Sequence, residues 1–138
     1  MLRVVFDTNV VVSGFLWKGP PYRCLKAARE GGAAACSSYP LLEELETTLA
    51  YRRFRTPLKN AALSPQDIRQ EYESFVEIVE PASVPHTIVE LDPCNDVVVK
   101  TALSARADFV VSGDAHLLAL NKYKSIVIST PSDFIARL

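Results

Sequence analysis

The chain has 138 residues, 49% hydrophobic and 22% charged, with a net charge of −1. That is the length of one domain and the balance of a globular protein, so two independent cores, and disorder as the main state, are excluded. No run of about 18 apolar residues occurs, which excludes a helical membrane span.

Leu2–Phe6 is a short β-rich apolar run that ends abruptly at Asp7-Thr8-Asn9, the pattern of a buried strand followed by a polar turn. Val10–Ser13 can start a helix, which Gly14 is expected to break. Phe15, Leu16 and Trp17 then fall in a loop, either packed into the core or forming an apolar patch for a partner. Gly19-Pro20-Pro21 reads as a loop, and Tyr22, Leu25, Lys26 and Arg29 as a short helix stopped by Gly31-Gly32. Ala33–Cys36 is a second strand. Ser38 can cap the next helix, with Pro40 tolerated in its first turn. In that helix Leu41, Leu42, Leu45 and Leu49 make one apolar stripe. Arg52, Arg53, Arg55 and Lys59 form a basic cluster. Ser64-Pro65-Gln66-Asp67 is a helix start, continued by Ile68, Tyr72 and Phe75, and Val76–Val79 a third strand. Leu91–Asp96 is an acidic turn opening a helix with Val98, Val99, Ala102 and Leu103. Asp108–Val111 is a fourth strand ending at Ser112-Gly113-Asp114. His116–Leu120 is a helix, Ile126–Ile128 a fifth strand and Ser132–Leu138 a closing helix. Strands that are continuous apolar runs and alternate with helices predict an α/β protein around a buried parallel sheet. Ligands of such sheets bind beyond the carboxyl ends of the strands.

The three cysteines, Cys24, Cys36 and Cys94, are odd in number and widely spaced, and there are only two histidines, His86 and His116. A zinc site or disulfide framework is therefore not expected, and any metal would be bound by oxygen. The acids are better placed. Asp7 ends the first strand, Asp114 lies just past the fourth, Asp96 opens the helix leading into the fourth, and Glu44 lies early in the helix after the second. In a parallel sheet all four can meet on one edge. Converging carboxylates repel one another, and a hard divalent cation removes that repulsion. The chemistry that follows is metal-assisted phosphodiester hydrolysis. Each acid also has an ordinary reading as a turn or cap residue, and Glu43 and Glu46 compete with Glu44 on periodicity.

Val5-Phe6-Asp7-Thr8-Asn9-Val10-Val11-Val12-Ser13 resembles the opening of a PIN domain. Leu41-Leu42-Glu43-Glu44-Leu45, Asp96–Ala102 and Phe109–Leu118 resemble its later acidic segments, in the right order, and the likeness spans residues 2–135. More narrowly, the Leu-Leu-Glu-Glu-Leu run and Thr130-Pro131-Ser132-Asp133-Phe134 resemble the branch of toxin components of toxin–antitoxin systems. The resemblance implies a single domain over 1–138, a three-layer α/β/α Rossmann-like sandwich with a parallel sheet of about five strands in the order 3-2-1-4-5. It implies Mg²⁺- or Mn²⁺-dependent cleavage of single-stranded RNA, with Asp7, Glu44, Asp96 and Asp114 as catalytic metal ligands. Thr8, Asn9 and Ser112 match polar positions near the metal or the substrate phosphate. The implied partners are an antitoxin protein and a second copy of the chain, as a homodimer.

The sequence departs from the family pattern at three places. Asn95 stands where another Asp is frequent, Lys100 where a small residue is commoner, and His116 where a second acid is common. Lys100 can pair with Asp96 one helical turn away or compete with a cation for it. Residues 1–60 carry nine Lys/Arg against five Asp/Glu, and residues 61–138 six against eleven. The basic cluster at Arg52–Lys59 can therefore track an RNA backbone or be a solvated helix end. With an apolar start interrupted at Asp7 and no basic region before it, no signal peptide is expected and the cytoplasm is the expected location. Two other readings stand beside the ribonuclease: a catalytically silent module that binds RNA or protein, and a phosphohydrolase of another α/β type. The latter lacks the second Asp that a DxD nucleophile motif needs at position 9.

Overall fold

A computed structural model describes residues 1–89 and 95–138, so the Leu91–Cys94 part of the expected acidic turn lies outside the described residues. The chain order is β1 (Arg3–Phe6), α1 (Thr8–Leu16), α2 (Pro20–Arg29), β2 (Ala34–Ser37) and α3 (Tyr39–Leu49). A single 3₁₀ turn (Arg52–Phe54), α4 (Arg55–Ala61), α5 (Pro65–Glu73) and β3 (Glu77–Ile78) follow. The last part holds α6 (Asp96–Ala105), β4 (Phe109–Val111), α7 (Ala115–Leu120), β5 (Lys122–Tyr123), β6 (Ile126–Ser129) and α8 (Pro131–Ala136).

The sheet order is β3-β2-β1-β4-β6-β5. Its first five members pair in parallel, which is the expected order 3-2-1-4-5 with β6 as the fifth parallel strand. The addition is β5, a two-residue edge strand running antiparallel to β6. It escaped sequence reading because Lys122-Tyr123 is too short to show a period.

Side chains alternate across the sheet as the pleat requires. Val4, Phe6, Phe109 and Val111 face one apolar cluster, shared with α1, α2, α3, α5 and α8. Val5 and Val110 face the other, shared with α6 and α7. The sheet is thus buried on both faces between two helical layers, which is why its strands read as unbroken apolar runs. The leucine stripe of α3 is buried throughout, Leu42, Leu45 and Leu49 in the first cluster and Leu41 in the second. Phe134 of α8 closes the first cluster with edge-to-face contacts to Phe6 and Phe109 at 6.1 and 5.4 Å. The buried thiols of Cys24 and Cys36 are pushed up to about 11 by desolvation, so neither is a nucleophile near neutral pH.

Several local expectations are corrected. Helix α1 does not break at Gly14 but runs on to Leu16. Gly14 is buried where α2 crosses, and a Cβ there would meet Leu25 Cδ1 and, at 3.0 Å, the carbonyl oxygen of Pro21. The glycine is a point of close helix approach, not a stop. Phe15 and Leu16 therefore lie in the helix and pack partly against the core, while Trp17 is 50% exposed beside Phe54, ring centroids 6.4 Å apart. Pro20 and Pro21 are the first turn of α2, where a missing N–H costs nothing. The basic cluster Arg52–Lys59 forms the 3₁₀ turn and α4, pinned by buried Phe54 and Leu58. Ser38 occupies the N-cap position of α3, but its hydroxyl does not cap the helix. It lies 2.9 Å from Thr101 Oγ1 on α6. Because the Thr101 hydroxyl donates to the Val97 carbonyl at 2.8 Å, Ser38 is the donor of the pair. Ser64 and Asp67 form a reciprocal capping box, as their spacing predicts.

The close crossing at Gly14 yields a test. Alanine there gains helix propensity but forces α2 outward, and overpacking of this kind costs about 1–3 kcal/mol. Gly14→Ala should lower stability in urea unfolding; an unchanged or higher midpoint would show that Leu25 repacks freely.

Candidate active site

The strand register sets the site. Phe6 pairs with Val111, and the ladder continues one residue further, Asp7 N–H donating to the Val111 carbonyl at 2.9 Å. Asp7 and Ser112 therefore lie side by side where β1 and β4 end. On the other flank Ser112 N–H donates to the Ser129 carbonyl at 2.9 Å, fixing Ser112 against β6. Asp7 is only 5% exposed. Its Oδ1 accepts from Thr8 N–H at 2.8 Å, and its Oδ2 from the Ser112 hydroxyl at 2.8 Å. The same hydroxyl oxygen accepts from Asp114 N–H at 2.9 Å, so Ser112 bridges the two acidic residues.

Asp114 is the N-cap of α7. Its Oδ1 accepts from the backbone N–H of His116 at 2.9 Å and of Leu117 at 3.1 Å. A third donor is the side-chain amide of Asn95, at 3.1 Å. The amide stands beside Asp114 without adding charge.

Asp96 is bonded to the backbone just ahead of its own helix. It is 7% exposed in the first turn of α6. Its Oδ2 accepts from Ile88 N–H at 3.0 Å and its Oδ1 from Val89 N–H at 2.7 Å, so the carboxylate anchors the chain before α6. Each oxygen keeps one lone-pair direction beyond these bonds. No ion pair joins Asp96 to Lys100 among the described residues, so the pairing expected across one helical turn is not formed. Lys100 instead uses its carbonyl to accept from Ala82 N–H at 3.0 Å.

Glu44 is exposed in the second turn of α3, which starts from the carboxyl end of β2, the strand beside β1. The competing Glu46 is half-buried and paired with Arg69 at 3.3 Å, whereas Glu43 and Glu44 are exposed. Thr8 is buried, and its Oγ1 has no hydrogen-bond partner among the described residues. Asn9 is exposed in the first turn of α1, and His116 is exposed in that of α7.

Topology and hydrogen bonds thus bring Asp7, Ser112, Asp114 and Asn95 into one chain, with Asp96 next to Asn95 and turned toward residues 88 and 89. Sequence reasoning missed the contact of Asn95 with Asp114 and the anchoring bonds of Asp96. The only signal for either was an amide directly ahead of a helix-leading acid. Among the described residues, no group of three or more His, Cys, Asp and Glu side chains is gathered tightly enough to hold an ion by itself. The oxygen donors of Asp7 and Asp114 still suit a cation that keeps several waters and binds through one or two carboxylates plus substrate phosphate. That is the habit of Mg²⁺.

A family model described as PIN domain matches residues 3–116, a span that contains Asp7, Glu44, Asp96 and Asp114. No curated protein matches the chain. No helix among the described residues is long and apolar enough to cross a membrane.

The two bonds at Asp96 separate a structural from a chemical role. Asparagine there turns an N–H donor against a backbone N–H, a mismatch worth about 1–3 kcal/mol. Asp96→Asn should lower the urea midpoint in metal-free buffer; an unaltered midpoint would mean that the backbone of Ile88 and Val89 does not depend on this carboxylate.

Proposed function

The chain belongs to the PIN-domain family, and from that premise we propose that it is a metal-dependent ribonuclease cutting single-stranded RNA, the toxin component of a toxin–antitoxin system. PIN domains are generally nucleases and generally use divalent metal ions. The observation that carries the reading is the Asp7–Ser112–Asp114 bridge at the carboxyl edge between β1 and β4. Asp7 and Asp114 would hold Mg²⁺ or Mn²⁺, and Asp96 and Glu44 would complete its oxygen environment directly or through water. When bound, the cation activates water and offsets charge on the phosphoryl group.

The chain's own residues have separate tasks in this reading. Ser112 fixes the rotamer of Asp7. Thr8 follows Asp7 with a buried hydroxyl that has no partner among the described residues, and Asn9 would offer an exposed amide to a substrate phosphate. Arg52, Arg53, Arg55 and Lys59 are exposed and make no ion pair among the described residues, which suits contacts to an RNA backbone. The antitoxin would cover the acidic edge, the toxin would pair with a second copy, and both would act in the cytoplasm.

A second reading, the catalytically silent binding module, has its own observation. Asp96 already serves two backbone N–H groups, and a neutral amide stands beside Asp114.

Labelled single-stranded RNA with Mn²⁺, set beside EDTA and an Asp7→Asn variant, distinguishes the two. Cleavage should require the metal and fall at least about 100-fold in the variant, since a bound cation contributes several kcal/mol of charge stabilisation. Inert wild-type protein across metals and RNA sequences would favour the binding module. For the basic segment, replacing Arg52, Arg53 and Arg55 together by Ala should make the salt slope of single-strand binding shallower by about two units. An unchanged slope would assign those side chains to solvent.

A further inference from the structure

A groove lies between the start of α3 and the end of β3, lined by Tyr39, Pro40, Ile78, Val79, Glu80 and Pro81, with a volume of about 390 Å³. Tyr39 is 56% exposed, unusual for a large ring on this sheet edge. The groove is on the same edge as the acids. β3 pairs with β2 and β2 with β1, so it lies two strand spacings from Asp7, roughly 10 Å. Its walls are held in place. Val79 N–H donates to the Ser37 carbonyl at 2.9 Å, and Ala82 N–H to the Lys100 carbonyl at 3.0 Å. Ser38, just before Tyr39, is tied to Thr101. The cavity is therefore formed before any ligand arrives.

Its chemistry selects among the parts of an RNA strand. Among the described residues no Lys or Arg lines it, and Glu80 adds a carboxylate, so a phosphate is disfavoured. An aromatic ring, two prolines, an isoleucine and a valine suit a flat, weakly hydrated ring, and base–aromatic stacking tolerates any base. The Glu80 carboxylate accepts from an exocyclic amino group, as carried by cytosine and adenine, and repels the carbonyl that uracil presents instead.

We propose that this groove is a base subsite: Tyr39 stacks one base of the strand whose phosphate lies at Asp7 and Asp114, and Glu80 favours an amino-bearing base there. The inference rests on the nuclease reading above and deepens it by naming a specificity-determining pair.

The test is anisotropy of labelled oligo(C), oligo(A) and oligo(U) in Ca²⁺, read beside Mn²⁺ titration of the free protein and an RNA cleavage assay. Tyr39→Ala should weaken binding of oligo(C) and oligo(A) about tenfold, leaving Mn²⁺ binding and the circular dichroism spectrum unchanged. Tyr39→Phe should bind as wild type does. Glu80→Gln should narrow the preference for oligo(C) and oligo(A) over oligo(U). Wild-type affinity for all three oligomers in Tyr39→Ala, with cleavage intact, would overturn the groove assignment alone. The same holds if Tyr39→Ala loses self-association while RNA binding is untouched, which would give the groove to a protein partner. A wild-type chain that neither binds nor cuts these RNAs would overturn the nuclease reading and the subsite with it.

Discussion

The bridge from Asp7 through the Ser112 hydroxyl to Asp114 depends on one constraint, the parallel pairing of β1 and β4 in the register that sets Phe6 beside Val111. Parallel neighbours end on the same edge. Residues separated by more than 100 positions in the chain therefore become adjacent one step past that edge. A slip of one residue would turn Asp7 and Ser112 to different faces. The register is protected by burial on both sides, since Val4 and Phe6 fill one core cluster and Val5 the other. Hydrophobic packing, which carries no chemical instruction, thus specifies the position of a polar site.

The acids divide the work of that site unequally. Asp7 and Asp114 lie at the junction of strand ends and helix starts, each accepting backbone N–H groups that satisfy helix termini. Asp96 accepts from the backbone N–H groups of Ile88 and Val89 and so holds the segment before α6. Between them Asn95 supplies a neutral donor where a carboxylate would add repulsion. Cap, anchor and ligand are not exclusive roles. A carboxylate has about four lone-pair directions, and one or two bonds to backbone amides leave room for a cation or a water.

The surface of the chain is also uneven in charge. Basic residues gather on the 3₁₀ turn and α4, where Arg53 lies over the rings of Tyr51 and Phe54 at 5.7 and 4.8 Å, beside Trp17. The groove at Tyr39 carries an acid and, among the described residues, no base. A charged polymer with aromatic side groups needs both kinds of surface, one for its backbone and one for its rings.

Much of this was legible in one dimension. Unbroken apolar runs such as Leu2–Phe6 and Phe109–Val111 announce strands buried on both faces, and the leucines of α3 announce a packed helix, because burial imposes its period on the residues directly. The acids at strand ends and helix starts could be picked out for the same reason. Other features were decided only in three dimensions. Gly14 reads as a breaker until α2 crosses it, and Ser38 as a cap until its hydroxyl donates to Thr101 instead. The bonds from the amides of Ile88 and Val89 to Asp96 likewise appear only once the chain has folded back on the start of α6. Each turns on a partner brought near by packing, and local sequence holds no record of a neighbour that the fold supplies.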